Sequence, residues 1–71
     1  MPNNPELERM WKLVKEARAD ADRFPKDTHT CRLAGFARQR WVNRVREIYG
    51  KDITLEWKNG EYHLSNGEIY K

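Results

Sequence analysis

One cysteine, Cys31, stands in the 71 residues. A single thiol closes no intrachain disulfide, so the usual staple of small secreted domains is missing. No stretch approaches the roughly 20 apolar residues that a bilayer helix needs. The opening MPNNPELERM has neither a basic start nor an apolar run, so no secretory signal is read there. Together these absences make a reducing cytoplasm the expected location, with no membrane partner. The four glycines (Gly35, Gly50, Gly60, Gly67) lie far apart, and none belongs to a phosphate-cradling loop. There is no CxxC and no HExxH. His29, Cys31 and His63 do not make the closed four-ligand set of a structural zinc site. Neither a metal nor a cofactor is expected.

What is present is a charged, aromatic-rich domain. Hydrophobic residues are 38% of the chain and charged residues 35%, with three Trp, three Tyr and two Phe. That is too apolar and too aromatic for a disordered tail. The length suits one small domain spanning 1–71, hiding only about 60% of its extended-chain surface and leaving little room for a deep catalytic cleft. The net charge of +3 is unevenly spread. Acids and bases balance over residues 1–30. Residues 31–50 carry Arg32, Arg38, Arg40, Arg44 and Arg46 against Glu47 alone, and residues 51–71 are slightly acidic. Arginine grips planar anions in a fork and stacks on flat groups, so a basic middle segment points to an acidic partner.

Periodicity predicts two helices. Asn4 is placed to cap the first and Pro5 fits its first turn. Leu7, Met10, Val14, Ala17 and Ala21 then mark one face over 5–23. Phe24-Pro25 ends the helix, because a residue before proline avoids the α region. After the loop 24–29, Thr28 or Thr30 is the expected cap of a second helix over 30–49. Ala34, Ala37, Trp41, Val45 and Ile48 form its apolar face, and Gly50 closes it.

The period then falls to two. Ile53, Leu55 and Trp57 alternate with polar residues, and Asn59-Gly60 is a strong hairpin signal. A two-residue turn sets Lys58 opposite Glu61, Trp57 opposite Tyr62, Glu56 opposite His63 and Leu55 opposite Leu64. Strands are expected at 52–58 and 61–65. A second Asn-Gly, at 66–67, suggests another tight turn and a short strand at 68–70, with Ile69 beside Leu64 and Tyr70 beside His63. The expected fold class is α+β (ααβββ). Two antiparallel helices pack on a C-terminal two- or three-stranded antiparallel meander whose inner face is Ile53, Leu55, Trp57, Tyr62, Leu64 and Ile69.

Two groupings bear on function. Glu56 and His63 meet across the hairpin, but a catalytic pair needs a water-excluding pocket and an orienting group, so a surface ion pair is the simpler reading and no enzyme is expected. The second helix is more informative. With Trp41 at the centre of its buried side, Arg32, Arg40, Arg46 and Asn43 point away, Gln39 lies alongside and Arg44 sits toward one flank. Phe36 falls among these polar groups, about 140° from Trp41. A phenylalanine ringed by arginines has the composition of a protein-binding hot spot. The expected partner-binding set is therefore Arg32, Phe36, Gln39, Arg40, Asn43, Arg44 and Arg46. The competing reading is a solubilising helix face, with Phe36 packed under the N-terminal tail or the 24–29 loop.

In size, aromatic compactness and lack of a chemical site, the chain is similar to small accessory proteins of phages and mobile elements. No motif carries that likeness and it assigns no residue a role. It implies an inhibitor or regulator rather than an enzyme. The expectation is a monomeric, non-enzymatic binding protein that presses the arginine-rich face of its second helix onto the acidic surface of a larger protein or nucleoprotein complex. The alternative is a DNA- or RNA-binding regulator using that helix and the hairpin. Against it, residues 30–49 contain no convincing turn of a helix-turn-helix, and the hairpin tip sets Lys58 beside Glu61 instead of forming a basic wing.

Overall fold

A computed structural model describes residues 3–71 as α1 (Pro5–Arg23), α2 (Thr28–Tyr49), β1 (Leu55–Lys58), β2 (Glu61–Leu64) and β3 (Ile69–Tyr70). Residues 1 and 2 lie outside the described part of the chain. The three strands form one antiparallel sheet in the order β1-β2-β3.

α1 begins as its sequence predicts. The Asn4 side-chain oxygen accepts from the Glu6 and Leu7 amides at 2.9 and 3.4 Å, and Pro5 opens the helix. Phe24 caps its end, its amide donating to the Asp20 carbonyl. α2 starts two residues before the expected position, because its cap is Asp27 and not Thr28 or Thr30. The Asp27 carboxylate accepts from the His29 and Thr30 amides at 3.1 and 3.3 Å. A carboxylate outranks a hydroxyl there because it also opposes the positive end of the helix dipole. Those hydrogen bonds, the Thr30 amide foremost, lower the Asp27 pKa from its ordinary value. Gly50 ends α2 with φ at +95°, in the region open to glycine.

The core lies where the sheet meets the helix pair. Leu7, Trp11 and Val14 of α1 and Trp41 and Val45 of α2 are buried against Ile53, Tyr62, Leu64 and Tyr70. Trp41 stands at its centre, 4.8 Å from Trp11 and 5.2 Å from both Tyr62 and Tyr70, centroid to centroid. Its indole N–H donates to the Leu7 carbonyl at 3.1 Å, so the buried polar atom is satisfied and α2 is pinned to α1.

The β1-β2 register is the one the sequence predicts: Leu55↔Leu64, Glu56↔His63, Trp57↔Tyr62, Lys58↔Glu61. Asn59 and Gly60 both take positive φ, 53° and 78°, as a type I′ turn requires. The strands are shorter than expected at their outer ends. Before β1, Thr54 reaches Ser65 through only two hydrogen bonds, one of them to the Ser65 hydroxyl.

The β2-β3 register differs from the expected one. Tyr62 pairs with Tyr70 and His63 with Ile69. The second Asn-Gly does not form a two-residue turn. The Leu64 amide donates to the Glu68 carbonyl and the Gly67 amide to the Leu64 carbonyl, so residues 65–67 make a three-residue loop. Here Gly67 alone has positive φ, 98°, while Asn66 uses its side chain to accept the Glu68 amide at 3.0 Å. The extra loop residue slips β3 by one position, and a one-residue slip reverses both faces. Tyr70 is therefore buried in the core, and Ile69, expected inside, faces outward.

The slip also sets Glu68 inside, the one buried acid among the described residues. Its carboxylate accepts from the Asn4 amide at 3.2 Å, the Asn66 side chain at 2.7 Å and the Tyr70 hydroxyl. Beside it, the Asn3 side chain bonds both the Ile69 N–H and its C=O, occupying the free edge of β3. The C-terminal strand is thus fastened to the start of α1.

Candidate functional site

Two surfaces stand out. The first is the outer face of α2. Arg32, Phe36 and Arg40 follow one another one turn apart, and Gln39 and Asn43 flank them, joined by a 3.0 Å hydrogen bond. All five are exposed. Phe36 is 65% exposed and Leu33, one turn before it, 50%. Among the described residues, Phe36 therefore packs under neither the chain before α1 nor the loop. Arg32, Arg40 and Arg46 make no salt bridge among the described residues, so their guanidinium groups are left to solvent or to a partner.

Arg44 is placed differently. Its fork holds Glu6 through Nε and Nη2 at 2.9 and 3.1 Å, and Nη1 reaches Glu47 at 2.9 Å. These contacts tie α2 to the first turn of α1. The Arg44 hydrogen bonds lower the Glu6 pKa, and the two acids raise that of Arg44. Of the seven residues expected to bind a partner, six are exposed at the α2 surface, Gln39 and Asn43 bonded to each other, and Arg44 is engaged by Glu6 and Glu47.

The second surface is a groove of about 610 Å³ between α1, α2 and the hairpin turn. Trp11, Trp57 and Tyr62 supply its rings, and Lys15, Arg18 and Arg38 its positive charge. The Arg18 guanidinium lies 5.1 Å from the Trp57 ring centre and that of Arg38 5.7 Å from the Tyr62 ring centre. Stacking holds each guanidinium plane while its N–H edges stay free. Trp57 is 43% exposed even though its neighbours Trp11 and Tyr62 are buried. The groove exists because small residues face large rings: Ala34 and Gly35 leave the space beneath the hairpin turn unfilled.

Sequence reasoning missed this groove. Trp57 reads as inner sheet face, and neither Arg18 nor Arg38 belongs to the expected partner-binding set. The signal available was Gly35, a helix-interior glycine with no turn to make. A Cβ built on Gly35 meets nothing within 4 Å, so no close packing demands the glycine.

Other groups that drew notice lie away from both surfaces. His63 lies opposite Glu56 in the ladder, but its Nε2 is 3.3 Å from Glu61 Oε1 on its own strand. Cys31 is exposed, its thiol 3.8 Å from the Pro25 carbonyl. Among the described residues no three His, Cys, Asp or Glu side chains converge as metal ligands, and no helix is long and apolar enough to cross a membrane. Set against known proteins, the chain matches no protein family, no curated protein and no solved structure.

Proposed function

We propose that the protein is a small non-enzymatic binding protein that inhibits or regulates a larger macromolecule, engaging an acidic surface through the outer face of α2. One observation carries the reading: Phe36 stands 65% exposed between Arg32 and Arg40, neither of which has a carboxylate partner among the described residues. An exposed aromatic costs solvation, and unpaired arginines on both sides add charge selectivity and fast encounter to its apolar contact. Leu33 extends the apolar patch, and Gln39 and Asn43 furnish a polar rim. Arg44 supports the face by fixing α2 against α1 rather than by contact.

The test uses a photo-crosslinking amino acid at position 36, introduced in the source cells. A defined adduct with one larger protein is expected, and it should vanish when Arg40→Glu is added while circular dichroism stays unchanged. In parallel, the purified protein is titrated by fluorescence anisotropy against duplex DNA, single-stranded DNA and RNA at several salt concentrations. Micromolar binding that falls steeply with salt would replace this reading with the nucleic-acid one, and the slope would count phosphate contacts.

A further inference from the structure

The groove and the outer face of α2 lie on different sides of that helix, and the groove has a different chemistry. We infer that it is a binding site for a free mononucleotide: a flat heteroaromatic ring bearing a phosphate. Three features converge. The groove volume, about 610 Å³, falls in the range of small-molecule sites. Its walls combine exposed ring surface, on Trp57, with three cations from two helices, Lys15 and Arg18 on α1 and Arg38 on α2. Neither Arg18 nor Arg38 makes a salt bridge among the described residues, although each is held on a ring. A ring alone would leave the cations unanswered, and an inorganic anion alone would leave Trp57 bare. A nucleotide satisfies both, its base stacking on an aromatic or guanidinium plane and its phosphate taking the guanidinium edges.

Two further observations fit. The Trp11 indole N–H is buried without a hydrogen-bond partner, a donor left over in a ring that lines the groove. Asp22, the one acid on the groove wall, has the chemistry to accept from a ribose hydroxyl or an exocyclic base amine. Gly35 lines the groove, and a Cβ added there meets nothing within 4 Å.

The absence of obstruction above Gly35 provides the test. Gly35→Leu fills the groove at a position where leucine favours the helix more than glycine does, so the fold is retained. Binding of adenosine 5′-monophosphate is followed through the three tryptophan indole N–H signals by NMR, with adenosine, inorganic phosphate and a short single-stranded oligonucleotide as comparison ligands. The Trp57 signal should move most. The mononucleotide should bind at least about tenfold more tightly than adenosine or phosphate, and Gly35→Leu should weaken it by a similar factor. Arg38→Gln should weaken the mononucleotide and leave adenosine unchanged. Equal binding of phosphate would reduce the site to an anion patch, and tighter binding of the oligonucleotide would assign it to a strand. No binding, or binding that Gly35→Leu leaves intact, also overturns the inference.

Discussion

Near the sheet, α1 and α2 meet through Leu7, Trp11, Val14, Trp41 and Val45, all buried. Near the loop that joins them, none of residues 15–40 is buried, and the half-buried positions are Ala17, Ala21, Thr30, Ala34 and Ala37. The same two helices are thus held by tertiary packing at one end and mainly by local forces at the other. Asp27 capping, helix propensity and the short loop sustain the distal end, while Phe24, Leu33 and Phe36 remain exposed on it. Helices without a packed face are marginal in water, so this end is the part of the molecule most open to reshaping by a partner. Both candidate surfaces include residues of the distal end, and the groove opens where the large rings of the core give way to alanine and glycine.

The largest expected effect contrasts one aromatic from each end. Trp41→Ala should destabilise the protein by about 3–5 kcal/mol, enough to unfold a domain this small. It empties the centre of the aromatic cluster and removes the donor to the Leu7 carbonyl. Phe36→Ala should change stability by no more than about 0.5 kcal/mol, as for other surface substitutions. Urea denaturation followed by circular dichroism measures both. A comparable loss from the two changes would mean that the distal end is packed after all.

The packed end was also the more legible in sequence. Helical spacing located Leu7, Val14, Trp41 and Val45, and Asn59-Gly60 fixed the β1-β2 register to the residue. The second Asn-Gly misled because the dipeptide permits two turns. At Asn59 the backbone itself takes positive φ; at Asn66 the side chain captures the Glu68 amide and Gly67 alone takes it. Which turn forms is decided by what the slip buries. The observed one places Tyr70 and Glu68 against the start of α1, a contact 64 residues apart in the chain that no local pattern announces. The Arg44–Glu6 pair was not legible for a related reason, since the two residues lie on different helices. The groove is a shape between elements, and residue spacing within one element does not encode it.

Glu68 tests the fastening at the packed end, with an intermediate effect. Glu68→Ala should cost about 2–3 kcal/mol, because it removes the acceptor of the Tyr70 hydroxyl and of the Asn66 side chain and leaves the Asn4 amide only the Tyr70 oxygen. Burial pushes the Glu68 pKa up, but hydrogen bonds from Tyr49, Tyr70, the Asn4 amide and Asn66 outweigh it and the net direction is down from 4.5. A carboxyl with a lowered folded pKa contributes stability that is present above its unfolded value and is lost as pH falls through the folded one. Tyr70 runs the other way. Burial, and then the Glu68 carboxylate, raise its pKa above 10.0, so its contribution is present below that value and is lost as pH rises through the folded pKa. Glu68→Gln should flatten the acid limb of the stability profile below about pH 4.5 while leaving neutral-pH folding cooperative. An acid limb unchanged by Glu68→Gln would assign acid sensitivity to Glu6 and Asp27 instead, whose pKa values are also lowered.

Gly35→Ala carries the smallest effect and asks whether the distal end has its own stability. Alanine in a helix interior is worth about 0.5–1 kcal/mol over glycine, and the added Cβ meets nothing here. If the distal end opened only when the whole molecule unfolds, that gain would appear equally in every slowly exchanging amide. If it opens by itself, the gain belongs first to the local equilibrium. Amide exchange should then slow several-fold over the distal turns of α1 and α2, with little change at the amides around Trp41 and Val45. The second pattern is expected, because no side chain of residues 15–40 is fully buried: Ala37 packs half-buried on the core, and Arg18 and Arg38 reach the sheet only by lying over Trp57 and Tyr62. Slowing confined to the distal turns would show that the glycine keeps this end loose. Uniform slowing would make the helical hairpin one cooperative unit and remove the distinction between its ends.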